Sequence, residues 1–310
     1  MFLRQFHYLV MLEKEEHFGR AAHRCNVSQP SLSSAVKQLE LELGIPIVLR
    51  HQRFQGFTEE GRRVIAWAKR ILSDRDAMVE ELAIMHNDLH GRLCVAAMPM
   101  SSPVLPIISK LILNEHPSVQ IEFRFQGLEP MKVGLANFEF DVGITYLGDE
   151  PLERLQSSPL YEEHLLLLVP ETGWLEGKTA TTWAEAVDLP LCLMPQSMRE
   201  RQIVDQAFAV HDCVPHPMVE TESIINLAFH VMKGEVATII PSNFAHVIGA
   251  FPGTRQILME QPSVSLEVGL VWVEGNPMLP MTKTIVDIMA EATKSGELDR
   301  QLKVNEGVVT

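Results

Sequence analysis

The sequence has few cysteines and no long apolar run. Its 310 residues include 4 Cys, at positions 25, 94, 192 and 213, which are too few and too far apart for a disulfide scaffold. No uninterrupted apolar run reaches about 18 residues, so we expect no transmembrane helix and no membrane partner. The first residues do not show the basic stretch and apolar core of an export signal. The sequence therefore predicts a cytoplasmic protein.

Positive charge is also scarce. The chain has 26 Lys+Arg against 40 Asp+Glu, a formal net charge of -14, which is unfavourable for a polyanionic partner. The balance is uneven, however, because residues 1–58 carry 7 Lys+Arg against 5 Glu. The acidity belongs to the rest of the chain, so a nucleic-acid contact near the start is permitted. The length predicts two or more domains.

The first 58 residues predict three short helices and a hairpin. The second helix runs from about Phe18 to Cys25, and a short turn leads to Ser28, a typical N-cap, with Pro30 in the first turn of the third helix. The apolar stripe of the third helix consists of Leu32, Val36, Leu39 and Leu43. Gly44 ends that helix, and residues 45–57 predict a hairpin, or wing. This order indicates a helix-turn-helix.

The face opposite this stripe carries short polar side chains that fit a DNA major groove. Gln can pair with adenine in a bidentate manner, and Ser can reach a base or a phosphate. Arginines on the wing would contact the DNA backbone, which sets register rather than sequence. The candidate DNA-binding residues are Gln29, Pro30, Ser31, Ser33, Ser34, Lys37, Arg50 and Arg53.

Residues 59–89 predict one long helix without proline. Its apolar positions at helical spacing are Val64, Trp67, Ile71, Met78, Leu82, Met85 and Leu89, with Asp74 as a break. A helix this long with a single apolar stripe favours pairing with a second copy of itself. Packing against its own chain is the alternative.

From Gly91 onward, strands and helices alternate, which predicts an α/β domain. The predicted strands are 93–98, 119–125, 141–146, 165–169, 191–194, 236–240 and 268–273. The predicted helices lie around 104–114, 131–137, 198–209, 223–232 and 280–293. Domains of this kind bind ligands where strands end and helices begin.

Four ordered motifs resemble the LysR-type transcriptional regulators. They are Phe18-Gly19-Arg20-Ala21-Ala22, Val27-Ser28-Gln29-Pro30-Ser31-Leu32-Ser33, Gln38-Leu39-Glu40-Leu41-Glu42-Leu43-Gly44-Ile45-Pro46 and Phe57-Thr58-Glu59-Glu60-Gly61. The resemblance implies an N-terminal all-α winged helix-turn-helix with a long linker helix, and a C-terminal α/β effector domain of two subdomains similar to periplasmic binding proteins. The expected segments are 1–58 for DNA binding, 59–90 for the linker and 91–310 for the effector domain. Its first subdomain would comprise 91–162 and 265–302, and its second 163–264.

The resemblance also implies the partners. The expected partners are double-stranded DNA with an inverted-repeat operator, a second copy through the linker helix, a dimer of dimers, and RNA polymerase as a further candidate. No metal or cofactor is expected besides a small-molecule co-inducer. Three positions depart from the family pattern. Cys25 stands where an apolar residue is usual, Ser34 where many members have Arg or Gln, and Phe54 where Gly is common, so that Phe54 would pack on the duplex or on the wing.

The resemblance places the effector between the subdomains, which two crossover strands near 159–164 and 258–265 would join. The candidate effector-binding residues are Met100, Ser101, Ser102, Gln126, Thr145, Gln196, Ser197, Met198 and Ser223. Ser197 and Glu200 form a capping-box pattern, so a helix N-terminus is expected to face the cleft. Hydroxyls and helix N–H groups suit a small anion such as a carboxylate, with Arg199 and Arg201 nearby. Capping alone is the alternative for each serine.

Other functions remain open on sequence grounds. A redox switch would use Cys192 or Cys213, and a metal sensor would use His86 and His90, which lie four residues apart on a helix. A ligand-binding module without DNA activity is a further alternative. The sequence contains no nucleophile elbow and no phosphate-binding glycine loop, so we expect no enzyme.

Overall fold

The computed structural model describes residues 1–50, 54–84, 90–148, 152, 155–244, 251–261, 263–275 and 278–302. Two compact units are present, one formed by Met1–Asp88 with Ala136–Glu139 and the other by Leu89–Leu135 with Phe140–Thr310. In the described parts of both units, no helix combines the length and the apolar character needed to cross a membrane.

The first unit is a winged helix-turn-helix followed by a long helix. Its elements are α1 (Leu3–Glu15), α2 (Phe18–Arg24), α3 (Gln29–Leu43), β1 (Val48–Arg50), β2 (Phe54–Phe57) and α4 (Glu59–Ile84). The predicted end of α4 at residue 89 lies outside the described residues. The core consists mainly of Leu9, Leu12, Ala21, Ala22, Leu32, Val36, Leu39, Ile47 and Ile65. The two small alanines on α2 let the neighbouring helices approach closely.

The predicted limits of the third helix are confirmed. The Ser28 hydroxyl caps α3 by accepting a hydrogen bond from the Ser31 N–H at 3.3 Å. Gly44 ends the helix in the left-handed conformation, with φ of 71°, which glycine adopts without steric cost.

Side chains join α3, the wing and α4 at residues 46–48. Glu40 Oε1 accepts hydrogen bonds from the N–H groups of Ile47 and Val48 at 2.9 and 3.0 Å. The Thr58 hydroxyl donates to the Pro46 carbonyl at 2.7 Å and accepts from the Gly61 N–H at 2.8 Å. The start of the linker helix is therefore fixed to the wing.

The second unit is an α/β domain. Its strands are β3 (Gly91–Ala97), β4 (Val119–Phe125), β5 (Val142–Tyr146), β6 (Leu155–Pro170), β7 (Ala180–Thr182), β8 (Cys192–Leu193), β9 (Val219–Glu220), β10 (Thr238–Pro241), β11 (Thr254–Glu260) and β12 (Ser265–Val273). Its helices are α5 (Leu105–Glu115), α6 (Leu128–Ala136), α7 (Trp183–Ala186), α8 (Arg199–Ala209), α9 (Ile224–Met232), α10 (Pro280–Lys294) and α11 (Glu297–Leu302). The predicted strands and helices are present, with shifted ends.

One long strand connects the two halves of this unit. The large sheet has the order β4-β3-β5-β12-β6-β11-β7, and β10 also pairs with β6. Strand β6 pairs with β12 as far as His164 and with β10 and β11 from Leu165 onward. The first predicted crossover is thus part of a longer strand. The second differs from the prediction, because β11 ends at Glu260 and β12 begins at Ser265.

We predict that Gly61→Ala destabilises the first unit. A Cβ atom at position 61 would lie 2.2 Å from the Ile47 carbonyl oxygen, so the backbone would have to shift. The free energy of unfolding should fall by about 1–3 kcal/mol in urea titrations followed by circular dichroism. Glu60→Ala, at the exposed neighbouring position, should change it by less than about 0.5 kcal/mol. Equal stability of the two variants would contradict the contact.

Candidate functional site

The exposed face of α3 carries most of the predicted DNA-binding residues. Gln29, Pro30, Ser31, Ser34 and Lys37 are exposed, and Ser33 is half-buried. They face outward because Leu32, Val36 and Leu39 are fully buried on the opposite side of the helix. Positions 30, 34 and 37 are one helical turn apart, so their side chains form one surface. No acidic residue occurs between Gln29 and Lys37.

Local contacts hold the N-terminal end of this face. The Ser31 hydroxyl lies 2.8 Å from the Ser28 hydroxyl. The ring of His17 caps α2, since its Nδ1 accepts from the Gly19 and Arg20 N–H groups at 3.0 and 3.3 Å. A Cβ atom at Gly19 would lie 3.3 Å from the Gln29 side-chain oxygen. Gln29 therefore rests against the start of α2. The cap at His17 could not be predicted from the sequence, because histidine is an unusual N-cap.

Two exposed arginines on α2 were not among the residues predicted from the sequence to bind DNA. Arg20 and Arg24 lie 3.5 and 3.2 Å from the Glu15 carboxylate and are 62% and 71% exposed. The helix before a recognition helix crosses the DNA backbone in helix-turn-helix proteins. These two guanidinium groups are therefore further candidates for phosphate contacts.

The wing is described in part. Arg50 ends β1, but its side chain is not described, and Arg53 lies outside the described residues. Phe54 makes edge-to-face contacts with Phe18 and Phe57, with ring centroids 6.1 and 5.2 Å apart. Of the two sequence alternatives for Phe54, packing within the protein is the one observed.

The linker helix α4 leaves an apolar stripe uncovered. Ile65 and Ala68 are buried in the core of the first unit. Trp67, Met78 and Leu82 are 63%, 56% and 55% exposed. Because these three residues are separated by 11 and 4 positions, they lie along one side of the helix. Met85 and Leu89, also predicted for this stripe, fall outside the described residues.

The predicted effector residues lie at strand ends of the second unit. The Met98 N–H donates to the Ile144 carbonyl, and the Gln126 N–H donates to the Ala97 carbonyl. These bonds place Met100, Ser101, Ser102, Gln126 and Thr145 around the ends of the parallel strands β3, β4 and β5. Gln196, Ser197, Met198 and Ser223 follow β8 and β9, which are also parallel neighbours.

Several of these polar groups already have partners. The hydroxyls of Ser101 and Ser102 donate to the carbonyls of Met98 and Pro99 at 2.7 and 2.5 Å. The Ser223 hydroxyl caps α9 by accepting from the Asn226 N–H at 3.4 Å. The hydroxyl oxygens of Ser101 and Ser102 retain accepting capacity for a ligand.

The predicted capping box at Ser197 and Glu200 is wrong. Met198 is the N-cap of α8 and makes no side-chain cap hydrogen bond. The Glu200 side chain is buried instead. Burial raises the pKa of Glu200, although the N–H groups of Glu200 and Met100 oppose that shift. The hydrogen bond to Met100 links α8 to the loop after β3.

Arg201 is not available to an anionic effector. Its side chain is 1% exposed and donates to the Asp205 and Glu220 carboxylates, each at 2.7 Å, and to the Met194 carbonyl at 2.9 Å. The sequence suggested Arg201 as a cation near the cleft. The structure assigns it to holding α8 against β8 and β9.

A second buried carboxyl lies on the crossing strand β6. Glu163 is fully buried and accepts a hydrogen bond from the Tyr146 hydroxyl at 2.5 Å. Burial raises the pKa of Glu163 to about 8, and the Glu200 carboxylate adds to the shift. Burial also raises the pKa of Tyr146 and of Tyr161. Within the described residues, no lysine or arginine pairs with Glu163 or Glu200.

Burial disfavours the reactive thiolate at three of the four cysteines. Burial raises the pKa of Cys94 and of Cys192 to about 11 and also raises the pKa of Cys25. The four cysteines are free thiols. Reactive cysteines instead occupy sites where positive charge lowers the thiol pKa. Across the described residues, no group of three or more His, Cys, Asp and Glu could hold a metal ion.

We predict that Glu163→Gln reduces the stability that the protein loses as pH rises. Between the ordinary carboxyl pKa of 4.5 and about 8, the unfolded state releases a proton that the folded state retains. Stability therefore decreases as pH rises through this window, by a few kcal/mol at about pH 8. The amide that replaces the carboxyl stays neutral, so the variant's thermal midpoint should fall less between pH 5 and pH 8. Glu162→Gln, at the exposed neighbour, should retain the wild-type slope, and equal slopes for all three proteins would refute the assignment.

Comparisons with known proteins cover both units. Residues 3–62 match the bacterial regulatory helix-turn-helix proteins of the lysR family, and residues 86–294 match the LysR substrate binding domain. A hydrogen peroxide-inducible genes activator of Haemophilus influenzae is 25% identical, with 95% of this chain and 98% of the relative covered. The Escherichia coli regulator XapR is 31% identical over 177 residues, covering 56% of this chain and 60% of the relative.

Two solved structures share the whole-chain fold. A full-length OxyR variant of Pseudomonas aeruginosa has a TM-score of 0.74 at 24% identity, covering 95% of this chain and 98% of that one. CbnR in complex with its target DNA has a TM-score of 0.68 at 20% identity, covering 94% and 100%. Because the family match spans most of the chain, the chain belongs to the LysR-type transcriptional regulators.

Proposed function

We propose that this chain is a sequence-specific transcriptional regulator of the cytoplasm that binds double-stranded DNA and responds to a small-molecule effector. The exposed face of α3 carries this proposal, because it presents short polar side chains and one lysine on a helix held at both ends. The proposed role is non-enzymatic and uses no metal. RNA polymerase is a candidate partner.

The DNA contact would follow the geometry of the first unit. Helix α3 would enter the major groove, where Gln29 and the serines reach base edges. Arg20 and Arg24 on α2, together with the arginines of the wing, would contact phosphates and set the register. The solved CbnR complex, which has the same fold and holds target DNA, supports this arrangement.

The stripe on α4 supports a homodimer. Trp67, Met78 and Leu82 are large apolar residues left exposed on a helix of 26 residues, and a second copy of the stripe is a matching partner. Two copies related by a twofold axis require an operator with the same symmetry. We therefore propose an inverted-repeat operator and, following the family, a dimer of dimers.

The effector would bind between the two halves of the second unit. The candidate residues at the ends of β3, β4 and β5 would line this region, and the Glu200 carboxylate of α8 meets the Met100 N–H beside them. We propose that effector binding changes how the halves close and so how the dimers sit on DNA. Burial raises the pKa of Glu163 to about 8 and also raises the pKa of Glu200. These carboxyls therefore favour the neutral form and do not repel the small carboxylate that the sequence suggested.

A peroxide-sensing function is the second candidate, because several relatives are named hydrogen peroxide-inducible genes activators. Such a sensor needs an accessible thiol of low pKa. Burial has the opposite effect on Cys25, Cys94 and Cys192. A small-molecule effector therefore fits the second unit better.

We predict that Gln29→Ala weakens specific DNA binding. Losing a bidentate contact to adenine should reduce the affinity for an enriched duplex about 5- to 100-fold and leave binding to random-sequence DNA nearly unchanged. Fluorescence anisotropy on a duplex enriched from random sequence by the wild-type chain measures both affinities.

The matched lysine variants separate base contacts from phosphate contacts. Lys37→Ala should weaken binding to both duplexes. It should also reduce the slope of log affinity against log salt concentration by about one. Lys110→Ala, at an exposed residue of the second unit, should change neither. Wild-type affinity of Gln29→Ala and Lys37→Ala for both duplexes would contradict the proposed face.

A further inference from the structure

The last residue of α1 contacts both exposed arginines of α2. The Glu15 carboxylate accepts a hydrogen bond from Arg24 Nε at 3.2 Å and lies 3.5 Å from Arg20 Nε. The Glu15 carbonyl also accepts from Arg20 Nη2 at 2.5 Å. The Glu15 side chain is 17% exposed, whereas those of Arg20 and Arg24 are 62% and 71% exposed. One carboxylate that is mostly covered therefore contacts two guanidinium groups that reach into solvent.

The contacts with Glu15 leave the outer nitrogens of both arginines available. Arg24 donates to Glu15 through Nε, and its two Nη nitrogens have no partner among the described residues. Arg20 contacts Glu15 through Nε and Nη2, which leaves Nη1. A guanidinium group has five N–H donors in a rigid fork, and a phosphate can accept several of them. A carboxylate that takes the Nε side therefore fixes the direction of the group and leaves its end to a second anion.

These arginines lie beside the proposed DNA-reading face. A Cβ atom at Gly19 would lie 3.3 Å from the Gln29 side-chain oxygen, and Arg20 is the next residue of α2. A surface pocket next to them is lined by Glu15, Arg20, His23, Arg24 and Asn26. No Asp or Glu occurs between residues 17 and 39. Glu15 thus places one negative charge against a segment that has only positive ones.

Two effects of Glu15 on DNA binding oppose each other. Its charge repels phosphates, and this repulsion acts on every duplex regardless of sequence. Its contacts order two long side chains, which otherwise lose rotamer freedom when they bind. Ordered side chains favour the duplex whose phosphates lie in the matching register. Exposed ion pairs add little to folding stability, so stability alone does not account for a carboxylate at this position.

We propose that Glu15 is a positioning residue that orients Arg20 and Arg24 toward backbone phosphates of the operator. The two arginines are four positions apart on α2, about 6 Å along the helix axis, so both can reach the same DNA strand. This inference rests on the proposed DNA-binding function. It assigns to a negatively charged residue a contribution to specific binding.

Fluorescence anisotropy of the full chain tests this inference with two probes, a duplex enriched from random sequence by the wild type and a random-sequence duplex. Glu15→Gln keeps the size of the side chain and removes its charge. It should weaken binding to the enriched duplex about 3- to 10-fold, because two side chains are no longer ordered in advance. Binding to the random-sequence duplex should not weaken, since one repulsive charge is lost.

Glu16→Gln is the matched control. Glu16 is exposed and, within the described part of the chain, makes no ion pair. Its substitution removes the same charge one residue away, so it should change the affinities for both duplexes by the same factor. The ratio of the two affinities should therefore fall only for Glu15→Gln.

A double-mutant cycle separates positioning from a general effect on the packing of α1 against α2. In a chain that already carries Arg20→Ala and Arg24→Ala, Glu15→Gln should no longer lower the ratio. The inference is overturned if Glu15→Gln retains the wild-type ratio, if Glu16→Gln lowers it equally, or if Glu15→Gln lowers it as much without the arginines. A wild type that prefers no duplex would overturn the proposed function and this inference with it.

Discussion

The carboxylate of Glu40 accepts hydrogen bonds from the N–H groups of Ile47 and Val48, and the geometry of the DNA-binding unit depends on this contact. It fixes the wing against the C-terminal half of α3. Thr58 then ties α4 to the same segment, and Gly61 lets the first turn of α4 approach the Ile47 carbonyl. The surface that would read DNA and the helix that would pair two copies are therefore parts of one packed unit.

Strand β6 has the equivalent role in the second unit. It pairs with β12 in one half and with β10 and β11 in the other, so any movement between the halves must bend or twist it. The same strand carries Glu163, which is buried next to Tyr146. A buried carboxyl without a cationic partner makes the surroundings of a connecting strand sensitive to pH and to nearby charge.

Features set by neighbouring residues could be predicted from the sequence. The Ser28 cap, the Gly44 end of α3 and the apolar stripes depend on spacing along the chain, and the structure has them. Contacts between distant residues could not be predicted. The contacts of Glu40 of α3 with the Ile47 N–H, of Arg201 with Glu220 and of Glu163 with Tyr146 depend on tertiary packing. The capping box at Ser197 failed because the Glu200 side chain turns into the interior, where it meets the Met100 N–H.

The central claim is that the outward face of α3 reads base sequence in two symmetric half-sites. The most direct measurement selects duplexes from a random pool with the wild-type chain and with Ser34→Arg, a change at an exposed position of that face. We predict that the wild type enriches an inverted repeat and that Ser34→Arg changes the preferred base at the same position of both half-sites, since arginine favours guanine. If Ser34→Arg enriched the same sequence as the wild type, or if the wild type enriched no sequence, the claim would be contradicted.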